Sequence, residues 1–441
     1  MKFSNQKIQM NSFEKRRNRL LEIAKDGVII IPANHAITRN NDVEYEFRQN
    51  SSFWYLSGFE EPDAVMVLDT NSNKPYTMFV NPADPQMAIW VGERVGIDKI
   101  VTDFRANFGI SINNLREELS KITSNHQCIY YALGSDNVLD PIIQDIVTQR
   151  SIAFNKTGIN PICLKDPNPL INQMRMIKSK EEIDMISHGI TITTEGFKRA
   201  MEETRIGKKE FEIQAILEYE FRKNGSQRNG YPSIVATGEN ACTLHYTKNN
   251  STLKDNDLLL IDAGAEFDYY TADITRTWPA NGHFSSFQKE IYQIVLEAQK
   301  NSINIIKPGI PLTLVHETAL KILVEGLIDL KLLDGSRDYI IENRQYLDYF
   351  MHGTSHWLGI DVHDVGNYKQ QGENTILTPG MVFTVEPGIY IGQQISSGAA
   401  EKYKNIGIRI EDDLLVTESG HEILSKKIPK EITEIEEIIN H

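Results

Sequence analysis

Four apolar, strand-like segments in the second half of the chain each contain an acidic residue, and this feature constrains the fold more than any other. β-branched and aromatic residues mark the segments at residues 258–266, 271–278, 381–391 and 407–417. Their acids are Asp262, Asp273, Glu386 and Glu411. A carboxylate buried in a strand is unfavourable unless a cation or a proton neutralises it. The fold must therefore supply positive charge to all four.

Each acid taken alone has an ordinary structural explanation. Asp262 and Asp273 could cap strand ends or pair with Arg276, and a hairpin could also place the two aspartates together. Arg409 stands two residues before Glu411, on the same face of the strand, and could neutralise it. We favour one shared site, because it explains all the interruptions at once.

Three histidines, His352, His356 and His363, fall within the segment FMHGTSHWLGIDVHD at residues 350–364. A single buried histidine is as often a core residue as a ligand, but imidazole also carries protons and binds metals. Four carboxylates would be neutralised by two divalent cations. Oxygen donors with one imidazole suit Mn²⁺ and also admit Co²⁺, Fe²⁺ or Zn²⁺. Paired metals can activate a water between them, which predicts hydrolysis.

Composition excludes several other classes of function. The formal net charge is −14, which argues against nucleic acid or anionic membrane as a partner. We find no secretory h-region and no apolar run long enough to span a membrane, so we expect a cytoplasmic protein. The cysteines are far apart in the sequence and predict neither a disulfide framework nor a thiolate zinc site. No nucleophile elbow, H-E-x-x-H helix or P-loop is present.

The length of 441 residues indicates two domains. The proline-rich segment KDPNP at residues 165–169 predicts a division into residues 1–170 and 171–441. Alternating helices and strands, including strands at 28–31, 64–68, 76–80 and 128–133, make the first part α/β. Ser179 and Glu182 predict a capping box at the first helix of the second part. Further helices at 208–223, 287–306 and 312–330 would pack on a largely antiparallel sheet, an α+β arrangement.

The order of the motifs around these residues resembles the pita-bread metallopeptidases, most closely the Xaa-Pro aminopeptidase (aminopeptidase P) family. Asp262, DITRTWP with Asp273, HGTSHWLGIDVHD with His356, TVEPGIY with Glu386 and GIRIEDD with Glu411 fill all five ligand positions. DVEYEFRQNSSFWYLSGFEEPDAV and AIWVGER resemble the amino-terminal domain of the same enzymes. The resemblance covers nearly the whole chain. It implies an α/β amino-terminal domain and an α+β pita-bread catalytic domain.

The resemblance also implies an activity, which is cleavage between an amino-terminal residue and a following proline with two Mn²⁺ ions. Asp262 would bind one ion, Asp273 and Glu411 would bridge, and His356 with Glu386 would complete the other. A bridging hydroxide would attack the scissile carbonyl while Glu386 shuttles the proton. The residues expected to bind substrate and steady the oxyanion are His245 and His363.

Further residues would bind the substrate. The proline side would be formed by His352, Arg409, Tyr390, Tyr231 and Trp90. Asp42 would narrow the site near the substrate amine, and Trp90 would reach a neighbouring subunit of a homodimer or homotetramer. The segment SQRNGYPSIVA is shorter around Tyr231 than the bacterial pattern.

Three alternatives remain open at this stage. Prolidase, an Xaa-Pro dipeptidase, shares the five ligands, but the SHW after HGT and the spacing of 25 positions between Glu386 and Glu411 favour an aminopeptidase. Creatine amidinohydrolase has the fold without the metal. A non-catalytic interaction protein on this fold would be expected to lack some of the ligands.

Overall fold

The structure is a computed structural model that describes residues 8–395 and 398–440. These residues form two compact units, one from Ile8 to Met174 and one that begins at Arg175. Each unit has its own buried apolar core. The predicted α/β part followed by an α+β part is confirmed. The division after residue 170 stays a prediction.

A six-stranded mixed sheet forms the centre of the first unit, and a short hairpin accompanies it. The strands are β1 (Val28–Pro32), β2 (Thr38–Asn40), β3 (Val43–Glu44), β4 (Val65–Asp69), β5 (Tyr76–Val80), β6 (Phe108–Ser111), β7 (Cys128–Tyr130) and β8 (Cys163–Lys165). β1 pairs antiparallel with β4 and parallel with β7, while β2 and β3 form the hairpin. The four strands predicted in this part are all present, with small shifts at their ends.

Helices cover this sheet and supply much of its core. They are α1 (Met10–Ile23), α2 (Ser51–Ser57), α3 (Pro85–Val91), α4 (Gly96–Thr102), α5 (Leu115–Thr123) and α6 (Leu139–Thr157). Leu119 on α5 and Ile143 on α6 are fully buried against Val28 and Phe79 of the sheet. Burial of such aliphatic and aromatic side chains stabilises each by about 1.5–3 kcal/mol.

The second unit contains the longest helix of the described residues, Lys180–Glu203. The helices from this point of the chain are α7 (Asn168–Met176), α8 (Lys180–Glu203), α9 (Glu210–Lys223), α10 (Ser286–Asn304), α11 (Thr313–Asp329), α12 (Arg337–Glu342) and α13 (Ile432–Asn440). The predicted capping box begins α8: the Ser179 N–H donates to Glu182 Oε2 at 2.9 Å, and the Glu182 N–H donates to Ser179 Oγ. Both orphan amides at the start of the helix are thereby satisfied. No helix of residues 8–395 or 398–440 is both long and apolar enough to cross a membrane.

Short antiparallel sheets carry the rest of the second unit. Their strands are β9 (Arg228–Asn229), β10 (Ile234–Thr237), β11 (Leu258–Ala263), β12 (Ala265–Phe267), β13 (Tyr270–Thr271), β14 (Ile274–Pro279), β15 (Lys369–Gln370), β16 (Glu373–Asn374), β17 (Val382–Val385), β18 (Gly388–Ile391), β19 (Ile406–Arg409), β20 (Asp412–Val416) and β21 (His421–Ile423). β10, β11 and β14 form one sheet, and β17, β20 and β21 form another. Residues that follow α10 and residues of β17 and β20, including Ile306, Phe383 and Leu414, share one buried core with Trp357.

Each of the four strands predicted to contain an acid is broken in the structure. The segment predicted at 258–266 divides at Gly264, where a Cβ would lie 1.7 Å from the Ala272 carbonyl oxygen, so the two chain segments cross too closely for any side chain. The segment at 381–391 divides at Glu386 and Pro387, because proline has no N–H for a ladder. Breaks also occur at Asp273 and at Glu411. Asp273, Glu386 and Glu411 therefore lie in breaks between strands, whereas Asp262 lies within β11, one residue before its end.

Candidate metal centre

The four carboxylates and the one imidazole of the predicted ligand set line a single cavity of about 640 Å³ in the second unit. These five groups belong to Asp262, Asp273, His356, Glu386 and Glu411. Antiparallel pairing of β11 with β14 places Asp262 opposite Thr275, two residues after Asp273. This is the predicted hairpin.

The other ligand candidates are placed by strands β17 and β20. Glu386 directly follows β17 and Glu411 directly precedes β20, and the two strands pair antiparallel through Val385 and Asp412. The loop that carries His356 is bound to β17, since the His356 N–H donates to Thr384 Oγ1 and its carbonyl accepts the Thr384 N–H. Strand pairing and these two hydrogen bonds thus hold Glu386, Glu411 and the His356 backbone near one another.

The distances between these groups are those of a ligand cluster. One donor atom each of Asp273, His356 and Glu411 lies within 4.8 Å of the other two. His356 Nε2 is 3.2 Å from Asp273 Oδ2 and 3.4 Å from Glu386 Oε1. The Tyr231 hydroxyl lies 2.5 Å from both Asp262 Oδ1 and Asp273 Oδ1, which connects the fifth group to the rest.

The acids of this cluster are buried together with too little positive charge. Burial raises the pKa of Glu411 well above its usual value, and repulsion from Asp273 and Glu386 adds to the effect. Burial also raises the pKa of Glu386 to about 7 and that of Asp262 above its ordinary value. Cations bound near these three carboxyl groups would lower their pKa values again.

His356 responds in the opposite sense to the same surroundings. Burial lowers the pKa of His356, but its hydrogen bond to Asp273 and the charges of Asp273 and Glu386 raise it to about 9 overall. A nitrogen that attracts a proton so strongly among carboxylate oxygens is also placed to bind a metal. The donor set fits divalent cations such as Mn²⁺, Co²⁺, Fe²⁺ or Zn²⁺.

Arg409 forms its direct ion pair with Asp262 and not with Glu411. One guanidinium nitrogen, Nη2, donates to Asp262 Oδ2 at 2.6 Å, and Nε donates to Thr275 Oγ1 at 3.0 Å. The Thr275 hydroxyl in turn donates to Glu411 Oε2 at 2.7 Å. Arg276 pairs with Asp412, so the suggested pairing of Asp262 or Asp273 with Arg276 is wrong.

His352 and Arg409 line the cavity and are joined by hydrogen bonds to Tyr390, which is buried and does not itself line it. His352 Nδ1 is 2.7 Å from the Gly353 carbonyl oxygen, and Nε2 is 2.8 Å from the Tyr390 hydroxyl, which accepts from Arg409 Nη1 at 2.9 Å. Burial and the neighbouring Arg409 lower the pKa of His352 to about 3. A neutral imidazole that donates from Nδ1 and accepts at Nε2 satisfies every contact.

The other residues predicted from the sequence are placed in two different regions. His245 and His363 line the same cavity as the carboxylates, and the ring of His363 stands 4.3 Å from that of His356. Tyr231 also lines it. Asp42 and Trp90 belong to the first unit, where both are exposed. Their contact with substrate stays a prediction.

Several polar residues around the cavity were missed in the sequence. Thr275 connects Glu411 with Arg409, and Thr384 holds both the His356 backbone and Glu386 Oε1. The fully buried Asp413 accepts the backbone N–H of Asp273 at 3.1 Å. The consecutive acids of GIRIEDD were a visible signal for Asp413. No sequence signal marked Thr275 and Thr384, because threonine is common in strands.

Comparisons with known proteins identify the family of the chain. The model for metallopeptidase family M24 matches residues 184–418, and the model for the aminopeptidase P N-terminal domain matches residues 13–130. Xaa-Pro aminopeptidase of Haemophilus influenzae is 40% identical over 436 residues, which cover 98% of each chain. Aminopeptidase PepP of Pseudomonas aeruginosa superposes with a TM-score of 0.94 at 39% identity, over 99% of each chain. Zinc-substituted Escherichia coli aminopeptidase P in complex with product gives a TM-score of 0.94 at 37% identity, over 98% of this chain and 99% of the other.

Proposed function

The chain belongs to metallopeptidase family M24, as an Xaa-Pro aminopeptidase of the aminopeptidase P type, and we propose that it hydrolyses Xaa-Pro bonds with a dinuclear metal centre. Asp262, Asp273, His356, Glu386 and Glu411 would hold the two ions. The observation that carries this proposal is the set of five buried or half-buried donors in one cavity, with raised pKa values at Asp262, Glu386 and Glu411. Two divalent cations, when bound, would lower the pKa of a shared water and polarise the scissile carbonyl.

Proton transfer is the task that we assign to Glu386. Its carboxylate faces the cavity, and its Oε1 lies within reach of His356 Nε2 and the Thr384 hydroxyl. Glu386 can take the proton of the attacking water and deliver it to the departing proline nitrogen. That nitrogen needs a proton because the anion of a secondary amine is a very poor leaving group.

The two other histidines of the cavity are proposed to bind the peptide carbonyl. Burial and the adjacent His356 lower the pKa of His363, which favours a neutral imidazole at physiological pH. A neutral imidazole has one N–H to donate, and the oxygen of a tetrahedral intermediate needs such donors. His245 also lines the cavity, next to Leu244 in the sequence and near Thr247. It is proposed to provide the second such donor.

Selection of proline is assigned to the network of His352, Tyr390 and Arg409. These side chains hold one another through hydrogen bonds, so little conformational freedom is lost when substrate binds. Aromatic and imidazole faces suit the apolar ring of proline, which offers no amide hydrogen. Tyr231, Trp90 and Asp42 are further proposed substrate contacts.

The remaining parts of the proposal concern metal, assembly and location. Mn²⁺ is the ion that we propose, although the related E. coli structure was obtained with zinc. The exposed apolar side chains of α3, Ile89 and Trp90, are more than 80% accessible and support contact with another subunit. The charge of −14 supports the absence of nucleic acid and anionic membrane among its partners. A place in the cytoplasm is a further part of the proposal.

The experiment that tests the function compares turnover of Arg-Pro-Pro and Ala-Pro with added Mn²⁺. Arg-Ala-Ala is the control peptide, and a chelated sample is the control for metal. We expect cleavage of Arg-Pro-Pro in preference to both other peptides, lost on chelation. Preference for Ala-Pro would indicate a prolidase, and no cleavage by the metal-loaded protein would refute the proposal.

A further inference from the structure

The loop that carries His245 has little regular structure of its own. It connects β10 with β11, and after one short 3₁₀ turn, Gly238–Cys242, the chain runs without helix or strand to residue 250. Leu244, His245 and Thr247 of this loop line the cavity. Since loop backbone must satisfy its hydrogen bonds elsewhere, the position of His245 depends on contacts from outside the loop.

Glu210, the first residue of α9, provides such contacts from a fully buried position. Its Oε1 accepts the Thr237 N–H at 2.7 Å and the Asn240 Nδ2 at 2.9 Å. Its Oε2 accepts the Tyr246 hydroxyl at 2.8 Å and the Ser251 N–H at 2.8 Å. One carboxylate oxygen thus holds the start of the loop, while the other holds its end.

The arrangement encloses His245 between two anchors. Asn240 precedes it, Tyr246 follows it directly, and both side chains donate to the same carboxylate. A backbone hydrogen bond also joins the start of α9 to the end of the loop, because the Glu210 N–H donates to the Ser251 carbonyl at 3.0 Å. Buried carboxylates are desolvated at a cost, so hydrogen bonds to both oxygens define one loop geometry more than they add stability.

We propose that Glu210 is a positioning residue for catalysis, which acts by holding His245 at the cavity. The inference rests on the proposed function, in which His245 donates to the peptide carbonyl. Glu210 does not line the cavity and touches neither the ligand cluster nor the space for substrate. Its effect on turnover must therefore pass through the loop.

Glu210→Gln in the Mn²⁺-loaded full chain is the first test. Glutamine preserves size but turns an NH₂ group toward N–H and O–H donors, which loosens one anchor. We expect kcat for Arg-Pro-Pro to fall roughly 10–100-fold with little change in KM, since the lost interaction belongs to the transition state. Mn²⁺ affinity should be unchanged.

Glu220→Gln is the matched control. Glu220 lies on the same helix and is also buried, but its carboxylate accepts from Lys223 Nζ at 3.1 Å and from Asn224 Nδ2 at 3.4 Å, at the other end of α9. We expect its kcat to stay near that of the parent. Tyr246→Phe removes a single donor and keeps the ring, so it tests the same anchor in a variant that should fold if Glu210→Gln does not. It should lower kcat in the same direction by a smaller factor.

Double variants with His245→Ala decide the mechanism. If Glu210 acts through His245, Glu210→Gln or Tyr246→Phe should lower kcat by less than about threefold once His245 is absent. The inference would be overturned if Glu210→Gln lowered kcat by the same factor with and without His245. An unchanged kcat in a folded Glu210→Gln protein would also overturn it. Failure of the parent to cleave Arg-Pro-Pro would instead refute the proposed function, so the two failures are distinguishable.

Discussion

Glu411 and Asp412 are consecutive, both are buried, and their carboxyl groups meet opposite electrostatic surroundings. Burial and the neighbouring acids raise the pKa of Glu411 far above its usual range. Asp412 is also desolvated, but Arg276 and Lys430 hold its pKa well below the usual range. Successive side chains of an extended segment point to opposite sides, so one residue separates two environments.

The two environments differ in where their positive charge comes from. Asp412 Oδ1 receives Arg276 at 2.7 Å and the Ser425 hydroxyl at 2.6 Å, while Oδ2 receives Lys430 at 2.5 Å and Gln299 at 2.7 Å. The protein itself therefore completes this side. On the Glu411 side the acids outnumber the basic groups, so protons on the acids or cations bound among them must balance the charge. Burial alone does not distinguish a structural acid from a ligand.

The largest expected effect is loss of turnover when the ligand side is altered. Glu411→Ala or His356→Ala should lower kcat/KM for Arg-Pro-Pro by at least about 10⁴-fold, because metal binding supplies several kcal/mol of transition-state stabilisation. The metal-free variants should remain folded by circular dichroism, since Glu411→Ala removes a repelling charge. Full turnover in either variant would contradict the dinuclear assignment.

A substitution on the Asp412 side should lower the stability of the protein and leave metal binding nearly unchanged. Asp412→Asn leaves the buried Arg276 and the half-buried Lys430 without their carboxylate, and we expect the free energy of unfolding to fall by about 3–5 kcal/mol. Urea denaturation of the metal-free protein measures it. Mn²⁺ affinity below the unfolding transition should stay within a few-fold of the parent. A large loss of affinity without a loss of stability would break the distinction between the two sides.

A matched pair of hydroxyl deletions sharpens the comparison further. Thr275→Val removes the donor to Glu411, and we expect roughly 10–100-fold weaker Mn²⁺ binding. Ser425→Ala removes the donor to Asp412, and we expect a loss of about 1–3 kcal/mol in stability without a change in affinity. Isothermal titration and denaturation, applied to both variants, would contradict the assignment if the two effects were exchanged.

The smallest effect expected is a pH dependence of opposite sign on the two sides. Because the pKa of Asp412 is depressed in the folded protein, its contribution is complete above the unfolded value of about 3.9 and is lost as pH falls. The stability difference between the parent and Asp412→Asn should therefore narrow below about pH 4. The raised pKa of Glu411 predicts that metal-free protein loses stability as pH rises, and that Glu411→Gln reduces this loss. The measurement is the free energy of unfolding of the metal-free parent and variants between pH 3 and 8. The same pH dependence in all of them would contradict both statements.

Much of the fold was predictable because its signals are local. The capping box of Ser179 and Glu182 needs only four consecutive residues, and the structure forms it. The strands of the second unit were predicted at nearly the right positions, but each predicted segment is divided into two strands in the structure. The β-branched residues continue through these breaks, so the sequence pattern does not show them. The break at Gly264 depends on the crossing of Ala272, which no local pattern indicates.

The sequence by itself determined the chemistry of the site, since a carboxylate in an apolar segment needs a counter-charge wherever it is placed. The five donors, the three histidines and Arg409 were all identified in this way or by resemblance. Tertiary structure alone decided which acid meets which base: Arg409 contacts Asp262, Arg276 contacts Asp412, and Glu210 holds the loop of His245. Coulombic and hydrogen-bond energies depend on distances of a few ångströms, and the chain sets those distances only when segments far apart in sequence pack together.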